Sequence, residues 1–82
     1  MIELKTLYMI KAIDTITNIS FGFRMPLGVN PGAIRFTNDP NNAARFYELD
    51  DVRKEIDEIK KHYPTAKIKV YEVVRKAYEI LI

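Results

Sequence analysis

The stretch from Glu48 to Tyr63 constrains the fold more than any other part of the chain. Its apolar residues recur at alternating spacings of three and four, and every residue between them is charged or a histidine; they are Leu49, Val52, Ile56, Ile59 and Tyr63. That spacing draws one apolar stripe along a helix. Acids crowd the first turn and bases the last, which complements the helix macrodipole. Because Pro64 disfavours helical dihedrals in the residue before it, the pattern predicts an amphipathic helix over 49–63.

Two stretches before this helix predict a β-hairpin. The segment 19–24 alternates the large apolar residues Ile19, Phe21 and Phe23 with Ser20, a glycine and an arginine. Three large apolar side chains are therefore expected on one strand face. The segment 7–13 is apolar on both faces and fits a partner strand, joined through a turn over 14–18. A helix over 4–13 is the alternative, since a continuous apolar run does not reveal its period.

The remaining segments predict loops and short strands. Two prolines and two glycines fall in residues 25–32, which indicates a loop, and a second turn is expected over 38–42. Between them, Ile34 and Phe36 alternate with polar or small residues as in a short strand. After Pro64, the alternation from Ala66 to Val74 predicts a further strand. Residues 75–82 fit either a helix or an extended segment, and we favour the extended one.

These elements predict an α+β fold: a small antiparallel sheet of order β-β-(β)-α-β packed by one amphipathic helix. The chain has 82 residues and no cysteine, which fits a single domain over 1–82 and excludes a disulfide scaffold or a cysteine-ligated zinc module. A core of this size barely offsets chain entropy, so self-association would help. Apolar residues over 78–82 would suit strand addition to a second copy, and we therefore expect a homodimer.

The inventory of reactive side chains argues against catalysis. The chain holds one histidine, His62, and one serine, Ser20, so a nucleophile and its base would need the only copy of each. The clustered acids lie between the apolar positions of the predicted helix, where water keeps them ionised and unsuited to general acid chemistry. No glycine-rich phosphate loop and no metal-ligand spacing is present. We predict a protein that is not an enzyme and that has no catalytic residue, cofactor or metal.

Charge and hydropathy give little evidence for a membrane-spanning segment or a membrane partner. Thirteen Lys and Arg residues stand against eleven Asp and Glu residues, a net charge of +2, and no apolar run approaches the roughly 20 residues of a membrane span. The first residues lack a signal-peptide pattern. We therefore expect a cytoplasmic protein with no membrane partner.

A binding surface is the remaining class of function. Loops on a rigid scaffold often carry binding residues, and arginine is prominent at interfaces. The predicted protein-binding surface therefore combines the loop over 25–32 with nearby arginines; its residues are Arg24, Leu27, Val29, Arg35 and Arg45. The alternative is a single-stranded nucleic-acid-binding module, because arginines interleave with Phe21 and Phe23 on a sheet that could stack bases.

The order of these segments resembles a group of small phage and mobile-element accessory proteins. The resemblance rests on a strand like 8–11, an Ala-x-x-Phe step at Ala43 and Phe46, and an acid-rich amphipathic helix in which Leu49 and Val52 are the clearest matches. What it implies is a context rather than a site: such proteins are commonly accessory factors, including ones that bind and inhibit a host or defence protein. It carries no functional residue over to this chain.

Overall fold

The structure is a computed structural model that describes residues 1–26 and 34–82. Within them lie six strands, one α-helix and one short 3-10 helix. In chain order the elements are β1 (Ile2–Glu3), β2 (Leu7–Asp14), β3 (Ile19–Arg24), β4 (Phe36–Thr37), the 3-10 helix (Pro40–Asn42), α1 (Leu49–His62), β5 (Ala66–Val73) and β6 (Lys76–Ala77). The predicted α+β fold class is confirmed.

Four strands form an antiparallel sheet in the order β4-β3-β2-β5, with the hairpin β2-β3 at its centre. The predicted strand over 7–13 and the short strand at Phe36 are thus confirmed, and the helix alternative for 4–13 is wrong. β2 and β5 pair without interruption over their full length, from Leu7 opposite Val73 to Asp14 opposite Ala66. β1 and β6 pair with each other beyond this sheet as a two-stranded ribbon, which local sequence patterns did not predict.

Contacts around Tyr47 hold the ribbon of β1 and β6 against the residues just before α1. The ammonium of Lys5 lies 5.8 Å from the centre of the Tyr47 ring, and the guanidinium of Arg75 lies 5.7 Å from it. Arg75 also donates from Nε to the Lys5 carbonyl over 3.1 Å, while Lys5 Nζ donates to Glu48 Oε1 over 3.0 Å. These contacts compensate for the small number of strand pairs in the ribbon, since an isolated two-stranded pair is marginal in water.

α1 follows the predicted apolar stripe and ends one residue before the predicted limit. The backbone N–H of Tyr63 donates to the Ile59 carbonyl over 2.8 Å and closes the last turn before Pro64. Val52 and Ile59 are buried, whereas Leu49 is 47% exposed. Leu49 differs from the rest of the stripe because the packing of the helix against the sheet begins at Val52, about one turn later.

The core lies between α1 and one face of the sheet. Its buried residues come from β2, α1 and the start of β5: Ile10, Ala12, Val52, Ile59 and Ala66. Three aromatic rings pack beside them, with ring centres 4.9 Å apart for Phe21 and Tyr63, 5.7 Å for Phe21 and Phe36, and 5.8 Å for Phe36 and Tyr63. The helix stripe and one side of the sheet therefore bury each other, as the fold class requires.

The prediction that Ile19, Phe21 and Phe23 share one strand face is wrong. Between β2 and β3 the register shifts at Ala12 and Ile13, so one residue of β3 is inserted without a partner. Such a β-bulge breaks the period of two. Phe21 consequently packs in the core, Phe23 lies on the opposite face of the sheet beside Tyr71, and Ile19 is 60% exposed.

Residues 75–82 form no helix, and the extended conformation favoured from the sequence is seen only in part. Only Lys76–Ala77 forms a strand, and residues 78–82 have no regular structure. Their apolar side chains are exposed: Tyr78 to 68%, Ile80 to 74% and Leu81 to 97%. The proposed homodimer through this segment is not tested by the fold of one chain.

The turn after β2 is organised by the carboxylate of Asp14. It accepts hydrogen bonds from the Ile16 backbone N–H at 3.0 Å, from the Thr17 hydroxyl at 2.9 Å and from the Thr65 hydroxyl at 3.4 Å. These donors, led by the Ile16 N–H, hold the pKa of Asp14 below its ordinary value of 3.8. Asp14 thus ties the hairpin turn to the loop that precedes β5.

We expect this lowered pKa to make part of the stability acid-sensitive. The folded state binds fewer protons than the unfolded state between the two pKa values, so the contribution is complete above about pH 5 and is lost as pH falls through the folded pKa. The urea midpoint of the wild type should therefore exceed that of Asp14→Asn at neutral pH, and the difference should shrink in acid. A difference that is the same at both pH values would contradict this role for Asp14.

Candidate functional site

The two faces of the sheet differ, because α1 covers only one of them. α1 packs on the face that carries Ile10 and Ala12. Because side chains alternate along a strand and directly paired residues share a face, the other face takes the odd-numbered residues of β2 and their partners in β5. This side of the sheet also carries Ser20, Thr37, Val73 and Leu7, of which Leu7 is buried at 4% exposed. We call the following seven residues the open face: Met9, Lys11, Ile13, Phe23, Lys67, Lys69 and Tyr71.

Three lysines meet on the open face through strand pairing. Lys69 lies directly opposite Lys11, and Lys67 lies opposite Ile13 and two residues from Lys69. Like charges directly opposite each other destabilise a sheet. Among the described residues none of the ion pairs involves these lysines, and the residues outside 1–26 and 34–82 carry no acidic side chain. The open face thus concentrates positive charge without a carboxylate to neutralise it.

Two aromatic rings lie beside the lysines. The ring centres of Phe23 and Tyr71 are 5.7 Å apart, with the ring planes tilted by 53°. The Lys11 ammonium lies 5.5 Å from the centre of the Phe23 ring, which is within cation–π range. Tyr71 is 38% exposed, so part of its surface is open to a ligand. Cations and aromatic rings on one solvent-facing surface can hold a ligand that is both anionic and planar.

Arg24, one of the predicted binding residues, is buried. Its side chain is 3% exposed, and its Nε donates to Glu55 of α1. Its Nη1 donates to the Met25 carbonyl and, over 3.4 Å, to the Arg35 carbonyl. The guanidinium therefore ties β3 to the helix and to the ends of the loop, and this burial argues against a place for Arg24 on a partner-binding surface.

The other predicted binding residues have different positions. Arg35 and Arg45 are exposed, and Leu27 and Val29 lie outside the described residues. Arg45 lines a groove of about 550 Å³ between the segment before α1 and the helix itself, together with Tyr47, Asp51, Lys54 and Glu58. Glu55 also lines the groove but is paired with Arg24, so two acids and two bases remain and the charge of the groove favours neither an anionic nor a cationic ligand.

The single serine and the single histidine occupy separate hydrogen-bonding environments. Ser20 is exposed on β3 opposite Ile13. His62 ends α1, with Nε2 at 3.3 Å from Glu58 Oε1. Hydrogen bonds within the described part of the chain include none between Ser20 and His62. In the same residues no group of three or more His, Asp or Glu side chains is arranged to hold a metal ion.

The open face combines a signal visible in the sequence with one that is not. The alternation Lys67, Lys69, Tyr71 places the three side chains on one strand face from the sequence alone. Lys11 and Phe23 join them only through the pairing of β2 with both of its neighbours. The predicted nucleic-acid surface used both Phe21 and Phe23, and of these only Phe23 lies on the open face.

Within the described residues, no helix has the length and apolar character that crossing a membrane requires. Comparisons of the chain with protein-family models, with curated proteins and with solved structures find no significant similarity.

Proposed function

We propose that this chain is a small, non-enzymatic binding protein that holds single-stranded nucleic acid on the open face of its sheet. The observation that carries the proposal is the set of three lysines and two aromatic rings on the sheet face that α1 does not cover, with no acid among them. Proteins that bind single strands combine cations that contact the phosphates with aromatic side chains that stack on the bases.

Each group on the open face has a role in this scheme. The ammonium groups of Lys11, Lys67 and Lys69 contact phosphates of the bound strand, and their mutual repulsion is relieved when those phosphates neutralise them. The exposed part of Tyr71 offers a surface on which a base can stack, and Phe23 packs behind it. The small net charge of the whole chain is no obstacle, because association depends on the local potential at the contact surface.

Binding of a labelled mixed-sequence oligonucleotide, followed by fluorescence anisotropy, tests this function. The wild type should bind single-stranded DNA or RNA at low salt, and its affinity should fall as salt is raised. Lys69→Glu should weaken binding by about tenfold or more, since it replaces a phosphate contact with a repulsive charge. Lys60→Glu makes the same charge change on α1, which covers the other face of the sheet, and should bind nearly as well as the wild type.

A second pair of variants, one of them a control, tests whether a base stacks on Tyr71. Tyr71→Ala should weaken binding by about fivefold or more, the effect of losing one base-stacking ring. Tyr78→Ala removes a tyrosine that is 68% exposed outside the open face and should have little effect. The proposed function is refuted if the wild type does not bind at low salt, or if Lys60→Glu weakens binding as much as Lys69→Glu.

A protein partner is the second candidate, favoured by the exposed apolar side chains of Tyr78, Ile80 and Leu81. The accessory role that binds and inhibits a host or defence protein belongs to this candidate, as does the surface around Arg35 and Arg45. Absence of oligonucleotide binding at low salt would favour it, and a pull-down should then recover a stoichiometric partner that Arg45→Glu loses. For both candidates we propose a cytoplasmic location, which the absence of cysteine supports.

A further inference from the structure

β5 forms one edge of the four-stranded sheet. It runs for eight residues, contains no proline, and keeps an unbroken register with β2 along its whole length. In the described residues no strand pairs with its outer side. Natural proteins usually shorten, bend or cover such an edge, because its unpaired backbone groups can pair with another strand. Lysines such as Lys67 and Lys69 also discourage edge pairing, so this eight-residue edge is a surface for strand addition only in a register that keeps the lysines apart.

The backbone groups that face outward can be assigned from the pairing of β2. The N–H of Tyr8 donates to the Phe46 carbonyl over 2.6 Å, and the Phe46 N–H donates to the Tyr8 carbonyl over 3.0 Å, on the side of β2 away from β5. Tyr8 and its partner Glu72 thus form a pair without mutual hydrogen bonds. Since such pairs alternate along an antiparallel ladder, Glu72, Val70 and Ile68 direct their N–H and C=O groups to the outer edge.

We propose that this edge pairs with the β5 edge of a second copy of the chain, antiparallel and centred on Val70. Two-fold symmetry places residue i opposite j and j opposite i, so only self-complementary registers are allowed. A register centred on Lys69 puts that lysine opposite its own copy, and one centred on Ile68 puts Lys67 opposite Lys69 of the second chain. Centring on Val70 instead puts Lys69 opposite Tyr71, with no lysine opposite another cation.

The Val70 register also satisfies the outward backbone groups and buries apolar surface. Val70 pairs with Val70 of the second chain, and Ile68 pairs with Glu72, so all the outward-facing N–H and C=O groups find partners. The Val70 side chain, 43% exposed in one chain, lies at the two-fold axis. Both open faces then lie on the same side of one continuous eight-stranded sheet. The dimer does not depend on whether the open face binds nucleic acid.

Two variants that place opposite charges at Val70, the residue at the two-fold axis, test the proposal. Sedimentation equilibrium over a range of concentrations should show the wild type associating to twice its mass of 9.6 kDa. Val70→Lys and Val70→Glu should each stay monomeric at concentrations where the wild type is dimeric, because each places like charges opposite each other. An equimolar mixture of the two variants should restore the dimer, since lysine then faces glutamate.

Two controls separate loss of the interface from loss of the fold. Val70→Thr keeps a β-branched side chain without a charge and should remain dimeric. The circular dichroism spectra of the charged variants should match that of the wild type. The proposal is overturned if the wild type stays at 9.6 kDa at the highest concentration, if either charged variant still dimerises alone, or if the mixture fails to dimerise while both spectra are native.

Discussion

Replacing Gly22 with alanine is expected to lower the free energy of unfolding by about 2–4 kcal/mol, the combined cost of a left-handed backbone and a close contact. Gly22 follows the inserted residue of β3 and has a φ of +98°, a conformation that residues with a Cβ rarely adopt. A Cβ at this position would meet the backbone of Thr37 in β4, with the Thr37 carbonyl carbon at 2.9 Å. A backbone group in a paired strand cannot move aside as a flexible side chain can.

Urea unfolding of Gly22→Ala, compared with that of the control variant Ser20→Ala, measures this effect. Ser20 lies two residues earlier on the same strand, is exposed, and does not have a positive φ, so its replacement should change stability by less than about 0.5 kcal/mol. A small domain has only about 5–15 kcal/mol of stability, so the loss at Gly22 should be conspicuous. Equal midpoints for the two variants would show that the bulge and the contact with β4 are not as described.

Replacing Glu55 with alanine is expected to cost about 2–3 kcal/mol, because it leaves the Arg24 guanidinium buried without its carboxylate. The Arg24 side chain is 3% exposed and the Glu55 side chain 19%. Two carbonyl oxygens, of Met25 and Arg35, still accept from Arg24, which keeps the cost below that of an isolated buried charge. The pair links β3 to α1, so its loss should weaken the packing of the helix.

The matched control is an exposed ion pair on the same helix. Arg53 and Asp50 lie 3.0 Å apart with side chains 70% and 85% exposed, and Arg53→Ala should change stability by less than about 0.5 kcal/mol. Thermal and urea unfolding of the two variants should therefore differ clearly. If Glu55→Ala is no less stable than Arg53→Ala, the buried pair does not stabilise the fold. This test also bears on the predicted binding role of Arg24, because a charge reversal there would disturb the fold before it disturbed a partner contact.

The candidate site differs from the surface that the sequence predicted, and the positions of the arginines and lysines explain the difference. Sequence proximity to a glycine- and proline-rich loop pointed to Arg24, yet its side chain turns inward to Glu55. Nothing local marks Lys11 as a neighbour of Lys69, because the two are joined only by the pairing of strands that are distant in sequence. Charge clusters on a sheet depend on register, and register is a property of the assembled sheet.

What the sequence determined by itself is the set of elements whose signals are local. The apolar stripe of α1, its charged ends and Pro64 give the helix to within one residue, and the alternation after Pro64 gives β5 to within one residue. The tertiary structure alone decided the strand order, the ribbon of β1 and β6, and the faces of β3. The reason is physical: periodicity reports which side of an isolated element is apolar, whereas a bulge, a positive φ at Gly22 or a lysine opposite a lysine arises only when strands pair.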